Sequence, residues 1–382
     1  MRLIYLFKSF AQRAGTERIL SDKMNYLVRE LGYDITFVTY EQGTHPLAFE
    51  LDSRIKVIDL DTRFFTLHRI QSPFRRLYAY FAMRRKFRQR LQSITEEVKP
   101  DWFISTTYSF PLMDCILSLP TRHIIESHIC LQEVVGFTQG RKTVWDYLKG
   151  MRTQRLFRAM RRAQVLVALT QADAEEWQRH TGVGTQVIPN TLHGFPHTIT
   201  PSDNRPQRIV CAGRLHRQKG YDLLIEAWSR IAPRHPAWRI DIYGQGEEED
   251  ALKRDIQEHN LQGQMALHAP TAYIYKEYQS SAFLVLSSRY EGFGLVLIEA
   301  MSCGTPCVSF DCPHGPSDII AQGEEGLLVP QGEVEGLSQA LEWMIEHPEE
   351  RSSMGEKARK KAQRYLPEHV MPLWTHLFEQ GR

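Results

Sequence analysis

Short apolar runs alternate along the chain with longer segments in which apolar residues recur at a helical period. In the first half, the runs predict strands, and one longer segment predicts an amphipathic helix over Thr16–Leu31. The predicted strands of this half are Arg2–Phe7, Asp34–Thr39, Lys56–Asp59, Trp102–Ser105, His123–Glu126 and Val165–Leu169. Strands that alternate with helices at this spacing are typical of parallel, doubly wound α/β sheets.

The alternation stops at Pro189-Asn190 and resumes at Arg208. The residues between them are rich in proline and polar side chains and lack a hydrophobic period, which predicts a linker between two domains. The predicted strands of the second series are Arg208–Ala212, Arg239–Tyr243, Met265–His268, Phe283–Leu286, Pro306–Phe310 and Leu327–Val329. Its predicted helices are Tyr221–Ile231, Glu248–Glu258, Leu295–Cys303, Val334–Glu346, Ser352–Tyr365 and Met371–Glu379.

Length and composition agree with two globular domains. A single hydrophobic core rarely grows beyond about 250–300 residues, and this chain has 382, of which 42% are hydrophobic and 24% charged. No stretch reaches about 18 uninterrupted apolar residues, and the strand near Met1 is too short for a signal-peptide core, so we expect a cytoplasmic protein. The six cysteines contain no C-x-x-C pair and are predicted to be reduced, mostly buried thiols.

The net charge of +2 conceals an asymmetry. Residues 1–200 hold 28 Lys+Arg and 19 Asp+Glu, a balance of +9, whereas the remainder holds 19 and 26, a balance of −7. Positive charge is concentrated in Arg69–Arg90, where arginines interleave with aromatic residues, and again in Arg152–Arg162. Basic helices with aromatic residues bind anionic lipid or phosphate. An equal alternative is a solvated helix face on which the aliphatic parts of the basic side chains pack against the protein.

The densest candidate site is the segment Ser287–Met301, in which a predicted strand is followed by a glycine-bearing turn and a helix. The first amides of a helix and its macrodipole favour negative charge, and glycines let the backbone approach a ligand closely. Glu291 precedes this helix and Glu299 lies inside it, a separation that suits one ligand held at two points. For Glu299 alone, a solvent-facing helix glutamate is the structural alternative.

A second candidate site, Gly213–Gly220, directly follows the strand Arg208–Ala212. Arg214 and Lys219 in this loop are placed at the carboxyl edge of the predicted sheet, where cations can neutralise a diphosphate. Gly244-Gln245-Gly246 also follows a strand, but the third glycine of a dinucleotide motif is missing and acidic residues follow, which would repel phosphate.

These segments resemble the family-4 glycosyltransferases of the GT-B fold, whose signature of two glutamates separated by seven residues matches Glu291 and Glu299. The resemblance is strong over roughly residues 187–332 and thinner before them. It implies an α/β protein of two facing Rossmann-like domains with a cleft between them. The implied domains are residues 1–190 for the acceptor and 207–365 for the nucleotide-sugar donor, with residues 366–382 forming a helix that crosses back to the first domain.

The resemblance also implies roles for individual residues. Arg214 and Lys219 are similar to the diphosphate clamp, Glu291 to the contact with the donor sugar, and Glu299 to the ribose ligand. His128, after the strand that ends at Glu126, is similar to the family's histidine beside the transferred sugar. The expected catalytic residues are His128, Glu291, Arg214 and Lys219. The expected donor-binding residues are Gly15, Gly213, Arg214, Lys219, Gly244, Thr271, Glu291, Gly292, Phe293, Gly294, Leu295 and Glu299.

The reaction that the resemblance implies is retaining transfer of a sugar from a nucleoside-diphosphate sugar, a UDP-sugar, to a glycan acceptor. We expect a lipid-linked acceptor of bacterial cell-surface polysaccharide synthesis, and peripheral attachment to the anionic inner face of the cytoplasmic membrane. No cofactor and no metal are expected, because the chain has no D-x-D motif of the metal-chelating transferase type. Asp59-Leu60-Asp61 has the D-x-D spacing, but it follows an early strand and lies in the acceptor half.

Two other classes stay open from the sequence alone. One is a nucleotide-sugar epimerase or a phosphorylase of the same architecture, which donor hydrolysis or epimer formation without an acceptor would favour. The other is a non-catalytic or nucleic-acid-binding module, suggested by the arginine runs alone. No helix-turn-helix, RNA-recognition or zinc motif accompanies those runs, so we expect no nucleic-acid partner.

Overall fold

The computed structural model describes residues 1–131, 134 and 144–380, with only the backbone of residues 144–149. The chain divides into two compact units. The first unit contains Met1–Ile188 and Trp374–Arg382, and the second contains Pro189–Leu373. Both units are parallel α/β sheets flanked by helices, as the alternation of apolar runs predicts.

The first unit has a seven-stranded parallel sheet with the order β3-β2-β1-β4-β5-β6-β7. Its strands are β1 (Arg2–Phe7), β2 (Asp34–Thr39), β3 (Lys56–Asp59), β4 (Trp102–Thr106), β5 (His123–Glu126), β6 (Val165–Ala168) and β7 (Thr185–Val187). Its described α-helices are Gly15–Arg29, Pro73–Val98, Met113–Ile116, Val144–Met160 and Gln171–Thr181. Central strands buried on both faces read as continuous apolar runs, and Leu3, Ile4, Tyr5, Leu6 and Phe7 are all buried.

The second unit has a six-stranded parallel sheet with the order β10-β9-β8-β11-β12-β13. Its strands are β8 (Arg208–Ala212), β9 (Arg239–Tyr243), β10 (Met265–His268), β11 (Phe283–Leu286), β12 (Cys307–Asp311) and β13 (Gly326–Pro330). Its α-helices are Tyr221–Ser229, Glu249–Glu258, Ile274–Gln279, Leu295–Ser302, Pro316–Ile319, Val334–Glu346 and Pro348–Ala362. The helix Pro367–Gln380 begins in the second unit and ends in the first.

Each sheet has one point at which the strand order reverses. In the first sheet this point lies between β1 and β4, and in the second it lies between β8 and β11. Loops that leave neighbouring parallel strands in opposite directions open a crevice at the carboxyl edge, where open α/β sheets bind ligands. The predicted site loops Gly213–Gly220 and Ser287–Gly294 follow β8 and β11, the two strands at this point.

Each unit has its own hydrophobic core. Trp177, Phe103 and Phe157 lie in the core of the first unit, and Trp228 and Phe283 lie in that of the second. None of the six cysteines forms a disulfide; five of them are buried and Cys115 is half-buried. Burial raises the pKa of the Cys303 thiol to about 12, so this thiol stays protonated near neutral pH.

The segment predicted as a linker is packed within the second unit rather than extended between units. The guanidinium of Arg205 is buried and donates to the carbonyls of Tyr278, Ser281 and Cys303 at 2.7–3.2 Å. Burial lowers the pKa of Arg205 to about 10. The polar composition of this segment predicts exposure to solvent, but the Arg205 side chain instead donates hydrogen bonds to buried carbonyls. The boundary between the units falls at Ile188 and Pro189.

Among the described residues, no helix has both the length and the apolar character needed to cross a membrane.

Candidate functional site

The candidate site of the second unit lies at the carboxyl edge of its sheet, between β8 and β11. The Arg289 amide donates to the Gln218 carbonyl oxygen at 2.7 Å, and Ser287 Oγ donates to the Lys219 carbonyl oxygen at 2.9 Å. These bonds join the loop after β8 to the loop after β11. The structure therefore brings together the two densest motifs of the sequence.

Lys219 and Glu291 form an ion pair at the centre of this edge. Lys219 Nζ lies 2.6 Å from Glu291 Oε1, and Ser288 Oγ donates to the same oxygen at 2.6 Å. The two side chains are 15% and 8% exposed, so little water screens the pair. Loss of either partner would leave the other charge uncompensated in a shielded site. Ser288 lies in the predicted segment Ser287–Met301 but was not among the expected site residues, because a serine beside a predicted strand end carries no distinguishing signal.

Arg214 is exposed at the same edge and is oriented by Gln218. Within the described part of the chain its guanidinium makes one hydrogen bond, to Gln218 Oε1 at 3.2 Å. Gln218 Nε2 in turn donates to the Tyr290 carbonyl oxygen at 3.0 Å. Most N–H donors of the Arg214 guanidinium are therefore available to an anion. Gln218 also connects Arg214 to the loop after β11, which helps to position the guanidinium.

Two glycines allow these loops to pack closely. Gly220 has φ +62°, and a Cβ there would overlap the Ser287 carbonyl oxygen. A Cβ on Gly244 would overlap the Gly213 carbonyl oxygen, and Gly213 itself lies against the side chain of Lys219. A side chain at Gly220 would separate the loops that carry Lys219 and Glu291, and one at Gly244 would push the loop after β9 away from the loop that carries Lys219.

The helix Leu295–Ser302 begins directly after the second loop, with Gly294 at φ +92° as its N-cap. None of the hydrogen bonds among the described residues uses the amides of Gly292, Phe293 or Gly294. The Phe293 side chain is buried and packs edge-on against Tyr365, with ring centroids 5.8 Å apart, which fixes the turn. Amide donors at a helix N-terminus beside two cationic side chains form an arrangement suited to phosphate.

Glu299 lies within this helix and is half-buried. It accepts a hydrogen bond from the Tyr278 hydroxyl at 3.2 Å. Tyr278 is buried, and its burial, together with the charge of Glu299, raises the pKa of the phenol well above its usual value. Tyr278 therefore remains a hydrogen-bond donor that orients the Glu299 carboxylate.

Gly244 and Thr271 follow the neighbouring strands β9 and β10. Thr271 is half-buried, and its hydroxyl accepts from the Tyr273 amide at 3.1 Å. His268 stacks on Tyr243 with centroids 4.8 Å apart, and its Nε2 lies 2.7 Å from Asp241 Oδ1. This stacked pair was not predicted as a functional feature, because its two residues are 25 positions apart and only strand pairing brings them together.

In the first unit, His128 lies beyond the carboxyl end of β5 and contacts Glu126. His128 Nε2 is 2.9 Å from Glu126 Oε2, and Lys23 Nζ donates to that same oxygen at 2.5 Å. Lys23 lies 3.9 Å from the centroid of the Trp374 ring. Burial would raise the pKa of Glu126, but the charge of Lys23 and the hydrogen bond with His128 outweigh it and lower that pKa. Glu126 is therefore an ionised group that orients His128.

Gly15 is the first residue of the helix Gly15–Arg29, which follows β1. The hydroxyl of the adjacent Thr16 lies 3.3 Å from that of Tyr108, which follows β4. Gly15 therefore lies where the strand order of the first sheet reverses, at its carboxyl edge. The expected residues His128 and Gly15 belong to the first unit, and all other expected site residues belong to the second.

Asp173 is a buried acid that was not predicted from the sequence. Its Oδ2 accepts from Ser127 Oγ at 2.9 Å, and Trp177 Nε1 donates to the same hydroxyl at 2.9 Å. Burial raises the pKa of Asp173 to about 7. An aspartate near the start of a helix is normally explained by its favourable interaction with the helix dipole. The sequence therefore gives no sign that the Asp173 carboxyl group is buried.

The D-x-D spacing at Asp59 and Asp61 serves the local fold. Asp59 accepts hydrogen bonds from Thr39 Oγ1 at 3.1 Å and from the Gly43 amide at 3.0 Å. Asp61 pairs with Arg63 at 2.8 Å. These carboxylates hold the loops beside β3, at the edge of the first sheet.

Two family descriptions match almost the whole chain. Residues 13–193 match "Glycosyltransferase Family 4", and residues 197–361 match "Glycosyl transferases group 1". The chain belongs to the family-4 glycosyltransferases. The motifs that carried the resemblance, around Lys219 and Glu291, lie within the second match.

Relatives of this glycosyltransferase align over its full length. An uncharacterized glycosyltransferase of Haemophilus influenzae is 27% identical over 378 residues, covering 97% of this chain and 98% of that protein. The amylovoran biosynthesis glycosyltransferase AmsD of Erwinia amylovora is 22% identical over 382 residues, covering 98% and 99%. The crystal structure of HepE from Anabaena in complex with UDP has a TM-score of 0.73 at 18% identity and covers 100% of both chains. The predicted GT-B fold class is confirmed, and these comparisons give no support to the epimerase, phosphorylase or nucleic-acid alternatives.

Proposed function

We propose that this glycosyltransferase transfers a sugar, with retention of anomeric configuration, from a UDP-sugar to a glycan acceptor of bacterial polysaccharide synthesis. The observation that carries the proposal is the Lys219–Glu291 pair beside the unused amides of Gly292–Gly294. This edge combines fixed positive groups with a shielded carboxylate. A sugar diphosphate needs both, because its phosphates are anionic and its hydroxyls donate hydrogen bonds.

The second unit binds the donor in this proposal. Lys219, Arg214 and the amides at the start of the helix Leu295–Ser302 neutralise the diphosphate, whose negative charge grows as the glycosidic bond to phosphate breaks. Preorganised donors and cations that meet developing charge lower the barrier without reorganisation. Glu291 and Glu299 accept hydrogen bonds from donor hydroxyls, with Glu299 oriented by Tyr278.

No metal is required in this proposal, because protein cations take its place at the diphosphate. The leaving diphosphate itself assists attack of the acceptor from the same face, through an oxocarbenium-like state. Positioning and charge stabilisation supply the acceleration. His128, oriented by Glu126, is the catalytic side chain of the first unit.

The choice of UDP and of a polysaccharide acceptor draws on the relatives. HepE was crystallised with UDP, and AmsD takes part in amylovoran biosynthesis. The positive balance of residues 1–200 supports a lipid-linked acceptor and peripheral attachment to the anionic inner face of the membrane.

A donor panel tests the proposal directly. UDP-, GDP- and ADP-sugars are added to the purified chain, and the melting temperature is followed, since only a donor that binds the folded state raises it. We expect a rise with UDP-sugars that is lost in Lys219→Ala. Proton NMR of the product then gives the anomeric configuration, and transfer in excess EDTA tests the metal. A product with inverted anomeric configuration would refute the retaining mechanism. Loss of transfer in EDTA would refute the absence of a metal requirement.

A further inference from the structure

A cavity lined by six arginines lies in the helical layer of the first unit. Its volume is about 680 Å³, and it is bounded by the helices Pro73–Val98 and Val144–Met160 and by the short helix Met113–Ile116. Its lining residues are Arg84, Arg85, Arg88, Asp114, Cys115, Ser118, Arg155, Arg158, Ala159 and Arg162. None of them belongs to the candidate site described above.

Among the residues that the structure describes, little negative charge balances the positive charge of this cavity. Asp114 is the one carboxylate in the lining, and both of its oxygens are engaged by Arg84 Nη2, at 2.7 and 2.8 Å. The other five arginines are exposed and form no ion pair among the residues that the structure describes. We call these five residues the arginine cradle: Arg85, Arg88, Arg155, Arg158 and Arg162.

The sequence places the cradle arginines where they repel one another. Arg85 and Arg88 are three residues apart on one helix, and Arg155 and Arg158 have the same spacing on the other. Like charges at this helical spacing are destabilising, and five of them share one concavity. A multiply charged anion would offset this repulsion. Guanidinium groups match the geometry of phosphate oxygens in two-point contacts.

An apolar surface extends from the cradle along the same helix. Phe74, Leu77, Tyr78 and Phe81 are exposed, Phe74 to 86%. They follow the spacing i, i+3, i+4, i+7, and Arg85 and Arg88 continue the same face of the helix Pro73–Val98. We call these four residues the apolar stripe. Exposed large apolar residues in one row mark a contact surface rather than a solvated face.

We propose that the arginine cradle binds the phosphate group of a lipid, whose apolar part lies on the apolar stripe. The volume of the cavity suits a phosphorylated headgroup, since small-molecule sites occupy about 300–1,000 Å³. Arg84 holds Asp114 and serves as a wall of the cavity rather than as a ligand. The proposal deepens the proposed function, on whose lipid-linked acceptor it rests, but its test measures binding alone.

The first arm of the test measures the binding of a phosphate compound that carries no lipid. Pyrophosphate is titrated calorimetrically into the full chain saturated with UDP, which occupies the diphosphate site of the second unit. We expect binding of one pyrophosphate that weakens at least tenfold in R155E/R158E. R75E is the matched control, because Arg75 is exposed on the helix Pro73–Val98 but does not line the cavity, and it should bind like the parent.

The second arm uses phosphatidylcholine vesicles with and without phosphatidic acid. We expect sedimentation with the phosphatidic acid vesicles that is lost in R155E/R158E and weakened about tenfold in F74S/F81S, although F74S/F81S should bind pyrophosphate normally. Equal binding of R155E/R158E and parent in both arms overturns the proposal. If the protein binds pyrophosphate but not the vesicles, the ligand of the arginine cradle is a soluble phosphate compound and the proposal of a lipid ligand is wrong. UDP binding, measured separately, reports on the proposed function.

Discussion

Lys23 Nζ and Glu126 Oε2 lie 2.5 Å apart in the interior of the first unit, although 103 residues separate them in the sequence. Both side chains are at most 4% exposed, and His128 bonds to the same carboxylate oxygen. Burial lowers the pKa of Lys23, so the lysine keeps its proton chiefly because Glu126 is ionised beside it. The charge of one residue thus depends on the other, and the orientation of His128 depends on both.

We therefore expect Lys23→Met to destabilise the protein by about 3–5 kcal/mol, because it leaves an uncompensated buried carboxylate. Urea unfolding measures the change. The double variant K23M/E126Q removes both charges and should regain most of the stability, while its transfer rate stays low because His128 has lost its ionised partner. A single variant K23M as stable as the parent would contradict this account of the pair.

The Lys219–Glu291 pair should govern transfer rather than folding alone. Lys219→Ala and Glu291→Ala should each reduce the transfer rate at least about a hundredfold, the scale of losing one charge-stabilising group. A matched control is the Lys361–Glu325 pair, 3.0 Å apart, with side chains 19% and 10% exposed. Glu325 precedes β13 at the amino edge of the sheet, so Glu325→Ala should cost stability yet leave turnover of the folded enzyme near normal. Near-normal turnover in either site variant would refute the assignment.

Gly220→Ala should impair the site through loop separation. This alanine would adopt a left-handed conformation, which costs about 1–2 kcal/mol, and would also collide with the Ser287 carbonyl oxygen. Gly323 has φ +77° in the same unit and nothing within 4 Å of an added Cβ, so Gly323→Ala carries only the conformational cost. Thermal unfolding should show the larger loss for Gly220→Ala, and only that variant should lose donor binding. Equal losses would exclude the close approach as the cause.

Asp173 should make the stability depend on pH in an unusual direction. Burial raises its pKa from 3.8 to about 7, so the folded chain binds this proton more tightly than the unfolded chain. The resulting stability is fully present below about pH 4 and is lost as the pH rises through about 7. Asp173→Asn, which mimics the neutral acid, should remove this decline between pH 4 and 8 in urea-unfolding measurements. A decline of the same size in the variant would assign it to other groups.

Much of the fold was predictable because parallel strands are continuous apolar runs. The bounds of β3 and β5 agree with the prediction, as do those of β8 and β11. The strand Thr185–Val187 was missed because it is a three-residue edge strand with half-buried side chains and no apolar run. Short elements at sheet edges are specified by pairing with their neighbour rather than by their own composition.

The site was predictable where its residues lie in one continuous segment. Glu291 and Lys219 stood out because glycines and charges follow strand ends, and sheet topology then brings both loops to one edge. Lys23 could not be found in this way, because it lies on a buried helix face of the first unit and its partner is distant in sequence. Its functional setting depends on tertiary contacts, which no local pattern encodes.

The first unit includes a segment, residues 374–380, that the ribosome produces only after the entire second unit. Trp374 covers Lys23, and the carbonyl of Phe378 accepts from Trp102 Nε1 at 3.1 Å across 276 positions. At about 5–20 residues per second, residues 189–373 take roughly 10 to 40 s to translate. During that interval Trp102 Nε1 lacks its acceptor on Phe378, and Lys23 lacks the ring of Trp374. The half of the enzyme that is synthesised first is thus the half whose own contacts can be completed last.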